Sequence, residues 1–224
     1  PVWNLALELG QASSVPVQVL GPPPPITWLA NDKAVITQIA NGICDDGLFG
    51  ASATAETLEA TDARGLGEAL AQLAQRHTRV AFKMTRCASA MGNEVFESDE
   101  IRALGPDGVT KLASRFLEDK DWTPGDTVLA VAWLTIDSSP STQLWVPPLG
   151  YGPPRLDGVY EQLLEGEECV FLGSIPSRLG SAMDERLGLA SLRVARVFQE
   201  LGYVGRCSFD FILAGDCAYA VECN

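Results

Sequence analysis

Apolar positions recur along this chain in two rhythms, one helical and one alternating. Leu66, Leu70 and Leu73 share one stripe of a 3.6-residue repeat and predict a helix over 66–75. Leu187, Leu189, Leu192, Ala195, Val197 and Leu201 predict another over 184–201, with Gly202 as its stop. A third is expected from Asn31 or Asp32, either of which can cap it, to Gly42, and a fourth around 110–117 after the turn Gly105-Pro106-Asp107-Gly108. Short apolar runs of strand type lie at 79–84, 94–97, 127–134 and 142–146, then at 159–164 and 169–172 about an acidic turn. Two more close the chain, Gly205 to Leu213 and Ala218 to Asn224, joined by a Gly215-Asp216 turn of hairpin type. Residues 43–60 read as a polar connection and 147–158 as a Pro- and Gly-rich loop. Near the start, Val15 to Leu20 could form only an edge strand because of Pro16. Gly21 and the four prolines after it read as a stiff spacer and the best domain boundary. The pattern is α+β, without internal repeats.

The 224 residues are enough to bury a sizeable core. Starting at Pro1 rather than Met and ending on Asn224, the sequence reads as a segment of a longer protein. Sixteen basic against 29 acidic residues give a net charge of −13, which argues against broad nucleic-acid or anionic-membrane binding. No apolar run approaches the ~20 residues of a membrane span, and no signal peptide is visible. The six cysteines form no C-x-x-C pair, and His77 is the only histidine, so a zinc site is not expected. Reduced, mostly buried thiols in a cytoplasmic protein fit this usage.

The closing hairpin carries the clearest chemistry. Pairing about its turn brings Asp210 close to opposite Glu222, and Glu222 and Asn224 point to one face. Two carboxylates and an amide among apolar neighbours suit a hard cation, above all Mg²⁺. Lys33 falls in the first turn of its helix, where a cation opposes the macrodipole and invites a functional explanation. Lys83 sits on a strand leading into the small-residue stretch Thr85 to Asn93, which contains Ser89 and Gly92. Such a loop can offer backbone N–H groups to phosphates while the lysine supplies a point charge. It matches neither the G-x-x-x-x-G-K-[ST] nor the G-x-G-x-x-G pattern. The apolar joint after Val131, with Trp133 and Leu134, can form a flat slot for an aromatic base.

In this order, these features resemble the ATP-grasp superfamily from about residue 28 to the end. Asn31-Asp32-Lys33 resembles the early N/D-D-K element, Phe82-Lys83 with the Ser89 to Asn93 loop the strand lysine and phosphate loop, and Gly205 to Asn224 the closing metal-binding hairpin. The resemblance implies two lobes, each with an antiparallel sheet and helices, and ATP between them. It implies an end of a preceding domain and linker over 1–27, an ATP-grasp domain over 28–224, a lid lobe over about 80–133 and a metal-binding lobe over about 134–224. Lys33, Lys83, Ser89, Gly92 and Asn93 would meet the phosphates, and Trp133 and Leu134 the adenine. Asp210, Glu222 and Asn224 would hold Mg²⁺, with Mn²⁺ as a substitute, and Arg206 or Arg193 would serve as the arginine that contacts substrate or phosphate. The implied activity is an ADP-forming ligase that joins a small-molecule carboxylic acid to an amine through an acylphosphate, in peptide or natural-product assembly. The alternatives are an ATP-binding module without ligase chemistry and a small-molecule kinase on the same scaffold.

Overall fold

The computed structural model describes residues 2–13, 16–43, 53–87, 91–166 and 170–224. Its elements are α1 (Val2–Ala12), α2 (Pro24–Ala30), α3 (Lys33–Gly42), β1 (Thr57–Ala60), α4 (Ala63–Ala74), β2 (Arg79–Met84), β3 (Asn93–Glu97), α5 (Ser98–Asp119), β4 (Val128–Ala132), β5 (Pro140–Val146), β6 (Arg155–Glu165), β7 (Val170–Pro176), α6 (Ser181–Glu200), β8 (Gly205–Ala214) and β9 (Cys217–Cys223). No helix among the described residues is long and apolar enough to cross a membrane.

Two antiparallel sheets organise the chain, one in the order β1-β4-β2-β3 and the other β7-β6-β5-β8-β9. Alternation along each strand gives each sheet an apolar face and a second face. In β2, Val80 and Phe82 join Leu66, Leu70, Leu73 and Phe116 in a core under α4 and α5. Phe82 is fully buried, with its ring centroid 5.3 Å from that of Phe96 and 5.1 Å from that of Phe116. Burying such a side chain is worth roughly 1.5–3 kcal/mol. In β8, Cys207, Phe209, Phe211 and Leu213 pack with Leu144, Val194 and Phe198 in a second core that holds α6 against the other sheet. The α3 helix belongs to both sides: Ile36 and Ala40 enter the second core, while Ala34 packs against Ala81, Leu129 and Val131 of the first sheet.

Four local expectations differ from what forms. Residues 2–12 are the helix α1, and residues 16–20 are not a strand. The proline spacer ends within α2, because Pro24 and Pro25 occupy its first turn, where a missing N–H costs nothing. The connection over 43–60 ends in β1, a four-residue strand paired with β4. The turn at 105–108 is a kink inside α5: Gly105 takes φ 67°, and Pro106 has no N–H to bond back across it.

Candidate functional site

The second faces of the two sheets look at one another across a cleft of about 690 Å³. Strand register decides which side chains meet there. Ser141 pairs with both Tyr160 and Asp210, and Asp210 pairs with Glu222, so these four stand in one row across β6, β5, β8 and β9. Gln143 pairs with Ser208, and Ser208 and Asn224 exchange backbone hydrogen bonds of 2.8 and 2.9 Å, which forms the next row. All of these residues line the cleft.

Asp210 is 8% exposed. Its Oδ2 accepts a hydrogen bond of 2.9 Å from Asn224 Nδ2, while its Oδ1 is buried without a hydrogen-bond partner among the described residues. Burial pushes its pKa up; the Ser141 hydroxyl opposes this and the charge of Glu222 adds to it. For Glu222 burial also favours the neutral acid, but Lys33 and Lys83 outweigh it and hold the carboxyl below its ordinary value. Lys33 Nζ lies 2.8 Å from Glu222 Oε2 and donates a 3.0 Å hydrogen bond to the Cys87 carbonyl. Its place is set by the start of α3, where Asp32 caps the helix by accepting from the Ala34 N–H at 2.9 Å. The Lys33 N–H in turn donates to the Thr85 carbonyl at 3.0 Å. The unfavourable helix field at Lys33 is thus offset by Asp32 and Glu222.

Lys83 stands on the cleft face of β2, between Leu129 of β4 and Asn93 of β3. Burial of its ammonium pulls its pKa down to about 8; Glu222 opposes that shift and Lys33 adds to it. The hairpin beyond Lys83 is closed by the Met84 N–H donating to the Gly92 carbonyl at 2.8 Å. Glycine is required there for room, since a Cβ at 92 would lie 2.6 Å from the Cβ of Cys87 and 3.0 Å from that of Met84. Trp133 and Leu134 line the cleft just after β4, and the Trp133 N–H donates to the Arg79 carbonyl at 3.0 Å.

The structure therefore brings Lys33, Lys83, Gly92, Asn93, Trp133, Leu134, Asp210, Glu222 and Asn224 to one cleft. Ser89 lies outside the described residues. Arg206, expected to be catalytic, is not a lining residue: its largely exposed guanidinium pairs with Asp157 of β6, two pleats along β8 from Asp210 and beyond Ser208. Arg193 is on α6, the helix packed on the opposite face of this sheet. Residues not anticipated from sequence are Arg79, Ser139, Ser141, Gln143, Tyr160 and Gln162. The polar positions 139, 141 and 143 recur with period two beside apolar Leu144 and Val146, a strand signal masked by Pro140. Among the described residues no group of three or more His, Cys, Asp or Glu could hold a metal. The set here is two carboxylates and an amide, and the unpartnered, buried Asp210 Oδ1 is the kind of oxygen a hard cation satisfies.

No protein-family model and no curated protein sequence matches the chain. Solved structures do. The D-alanyl-alanine synthetase A of Vibrio cholerae matches 92% of this chain and 57% of its own length, with 15% identity and a TM-score of 0.63. The biotin carboxylase domain of the Hydrogenobacter thermophilus 2-oxoglutarate carboxylase, solved with MgADP, ADP and bicarbonate, matches 99% of this chain and 44% of its own, with 16% identity and a TM-score of 0.66. The N5-carboxyaminoimidazole ribonucleotide synthetase of Thermus thermophilus matches 98% and 50%, with 17% identity and a TM-score of 0.63. The chain thus spans about half the length of the structures it matches. The fold of two antiparallel sheets and their helices is the one these structures share.

Proposed function

With an ATP-grasp fold established for this chain, we propose that it is the nucleotide-binding part of an ADP-forming ligase, dependent on ATP and Mg²⁺, that joins a small-molecule carboxylate to an amine. The observation that carries this is the convergence of Lys33 and Lys83 with Asp210, Glu222 and Asn224 on one cleft between two sheets. In this assignment residues 28–224 are the ATP-grasp domain. The lid lobe expected over about 80–133 is joined in its sheet by β1, and 134–224 is the metal-binding lobe. Residues 1–27 are the end of a preceding domain and its linker.

The base lies against Trp133 and Leu134, and the phosphates run toward Lys33 and Lys83. Asp210, Glu222 and Asn224 would hold Mg²⁺, which supplies charge neutralisation on the phosphates. A carboxylate oxygen of the acid attacks the γ-phosphorus, the bond to the bridging oxygen breaks, and ADP leaves with that electron pair. The amine nitrogen then attacks the acyl carbon of the acylphosphate, inorganic phosphate departs, and the nitrogen gives up its proton to solvent. Phosphoryl transfer asks of the protein mainly position and charge. Lys33 and Lys83 supply charge, and enclosure in the cleft keeps water from the acylphosphate. Lys33 exchanges Glu222 for phosphate oxygens in this scheme.

The test is ADP release from Mg·ATP with candidate acids, using hydroxylamine to trap the acylphosphate as a hydroxamate. Lys83→Ala and Glu222→Gln are each expected to lower turnover at least 100-fold, and unchanged turnover in both sinks the assignment. ADP release with a stable phosphate ester and no hydroxamate would mark a kinase instead.

A further inference from the structure

Beside the carboxylates of the cleft lies a set of neutral polar side chains whose hydrogen bonds run one way, toward Asp210. Ser139 and Gln162 come together where β5 begins: the Gln162 N–H donates to the Ser139 carbonyl at 2.9 Å, and the Ser139 hydroxyl donates to Gln162 Oε1 at 3.0 Å. The same hydroxyl lies 3.2 Å from the Phe211 carbonyl, so it is fixed between acceptors on β6 and β8. With Oε1 taken, the Gln162 amide turns its NH2 to the other side, where it donates to the Asp210 carboxyl. The reverse orientation would set Oε1 against a carboxylate, two acceptors with no proton between them.

A second relay reaches the same carboxyl along β5. Ser141 stands opposite Asp210 in the strand register, and both are buried. Its Oγ accepts from Gln143 Nε2 at 3.4 Å, which leaves its proton for Asp210. Asn224 Nδ2 adds a third bond, of 2.9 Å, to Oδ2. Each of these donors is neutral. A lysine in the place of Gln162 would hold the carboxylate as well, but its charge would repel an arriving cation. An amide holds it without that repulsion.

We propose that Gln162, set by Ser139, is a positioning residue for the cation site: it fixes the rotation of the Asp210 carboxylate so that Oδ1, which has no hydrogen-bond partner among the described residues, is the oxygen offered to Mg²⁺. This rests on the assignment of Asp210, Glu222 and Asn224 to Mg²⁺. An aspartate turns about its side-chain bonds, and outer partners that stop this turning are worth roughly 10- to 100-fold in metal affinity. In this chain of bonds Ser139 acts on Asp210 through Gln162. Its hydroxyl therefore matters to the cation only while the Gln162 amide is there to be turned.

Calorimetry of AMP-PNP over a series of free Mg²⁺ concentrations tests this. No binding by the unaltered protein would end the nucleotide assignment, and binding that ignores Mg²⁺ would end the metal assignment; the positioning role falls with either. Where binding depends on Mg²⁺, Ser139→Ala and Gln162→Leu are each expected to raise the Mg²⁺ concentration for half-maximal affinity about 10-fold. Affinity at saturating Mg²⁺ is expected to stay near that of the unaltered protein, which also shows that the variants are folded. Ser139→Ala combined with Gln162→Leu is expected to shift the Mg²⁺ dependence no further than Gln162→Leu alone. Additive shifts overturn the proposal, as does an unchanged Mg²⁺ dependence in either single variant or an equal loss of affinity at every Mg²⁺ concentration.

Discussion

A lysine enclosed in a cleft wall holds its proton less tightly than one in water, and burial brings Lys83 from 10.5 down to about 8. Two opposite trends follow. Between about 8 and 10.5 the unfolded chain binds a proton that the folded chain lacks, so unfolding free energy contributed by Lys83 rises with pH across that window and is lost as pH falls through about 8. In the proposed site, affinity for Mg·ATP goes the other way, because the Lys83 ammonium assigned to the phosphates is neutralised above about 8. Calorimetry at pH 7 and pH 9 is expected to show weaker binding at pH 9, and Lys83→Met to remove the difference. Asp210 offers a second trade-off. Its buried Oδ1 lacks a partner among the described residues and burial favours its neutral form, so the ionised carboxylate is an unfavourable charge there. Asp210→Asn is expected to stabilise the chain by about 1 kcal/mol in urea unfolding while abolishing the Mg²⁺ dependence of nucleotide binding.

The β2–β3 hairpin shows what an element requires beyond its pattern. Gly92→Ala would place a Cβ against Cys87 and Met84, whose own Cβ atoms are fixed to backbone. The hairpin must open, at a cost of about 1–3 kcal/mol by urea unfolding. Gln199 does a similar task for the Pro- and Gly-rich loop: fully buried on α6, it donates to the Pro147 and Gly152 carbonyls, each at 2.8 Å. Gln199→Leu leaves both carbonyls unpaired, which costs about 1–3 kcal/mol for each one that water cannot reach. Elements with a long period or a clear turn were legible from sequence: α4, α6, β2 and the β8–β9 hairpin lie within a few residues of their expected spans. That Asp210 lies near Glu222 was legible too, because a two-residue turn sets register, but their direct pairing was not: the turn alone puts Asp210 opposite Val221, and a bulge between Asp210 and Phe211 shifts it to Glu222. The strand β1 was not, since four residues give no period and its stability comes from pairing with β4. Nor was the fate of Arg206, because alternation gives the face of a residue but not the partner, here Asp157, that draws it away.

Each sheet has its own core, and neither holds the whole site. Lys83 comes from one, Asp210 and Glu222 from the other, and α3 ties them together through side chains in both. The tie is fastened at one end by Asp32, which caps α3 and pairs with Arg86 at 3.1 Å, while the Arg86 guanidinium lies 4.6 Å from the Trp28 ring centroid on α2. The next residue, Lys33, holds Glu222 of the second sheet. Removing Asp32 loosens the first sheet's hairpin from α3 without removing Lys33, Lys83, Asp210 or Glu222. Asp32→Ala is therefore expected to lower stability by about 1–2 kcal/mol, the usual cost of a lost cap with some ion pairing. Mg·AMP-PNP at 100 times its Kd adds about 2.7 kcal/mol to a protein that binds it only when folded. If the nucleotide bridges both sheets, it restores the coupling that Asp32→Ala weakens, and the variant with ligand melts in one transition. If the nucleotide sits on one sheet alone, calorimetric melting of the liganded variant splits in two, with only the upper transition moving with ligand concentration.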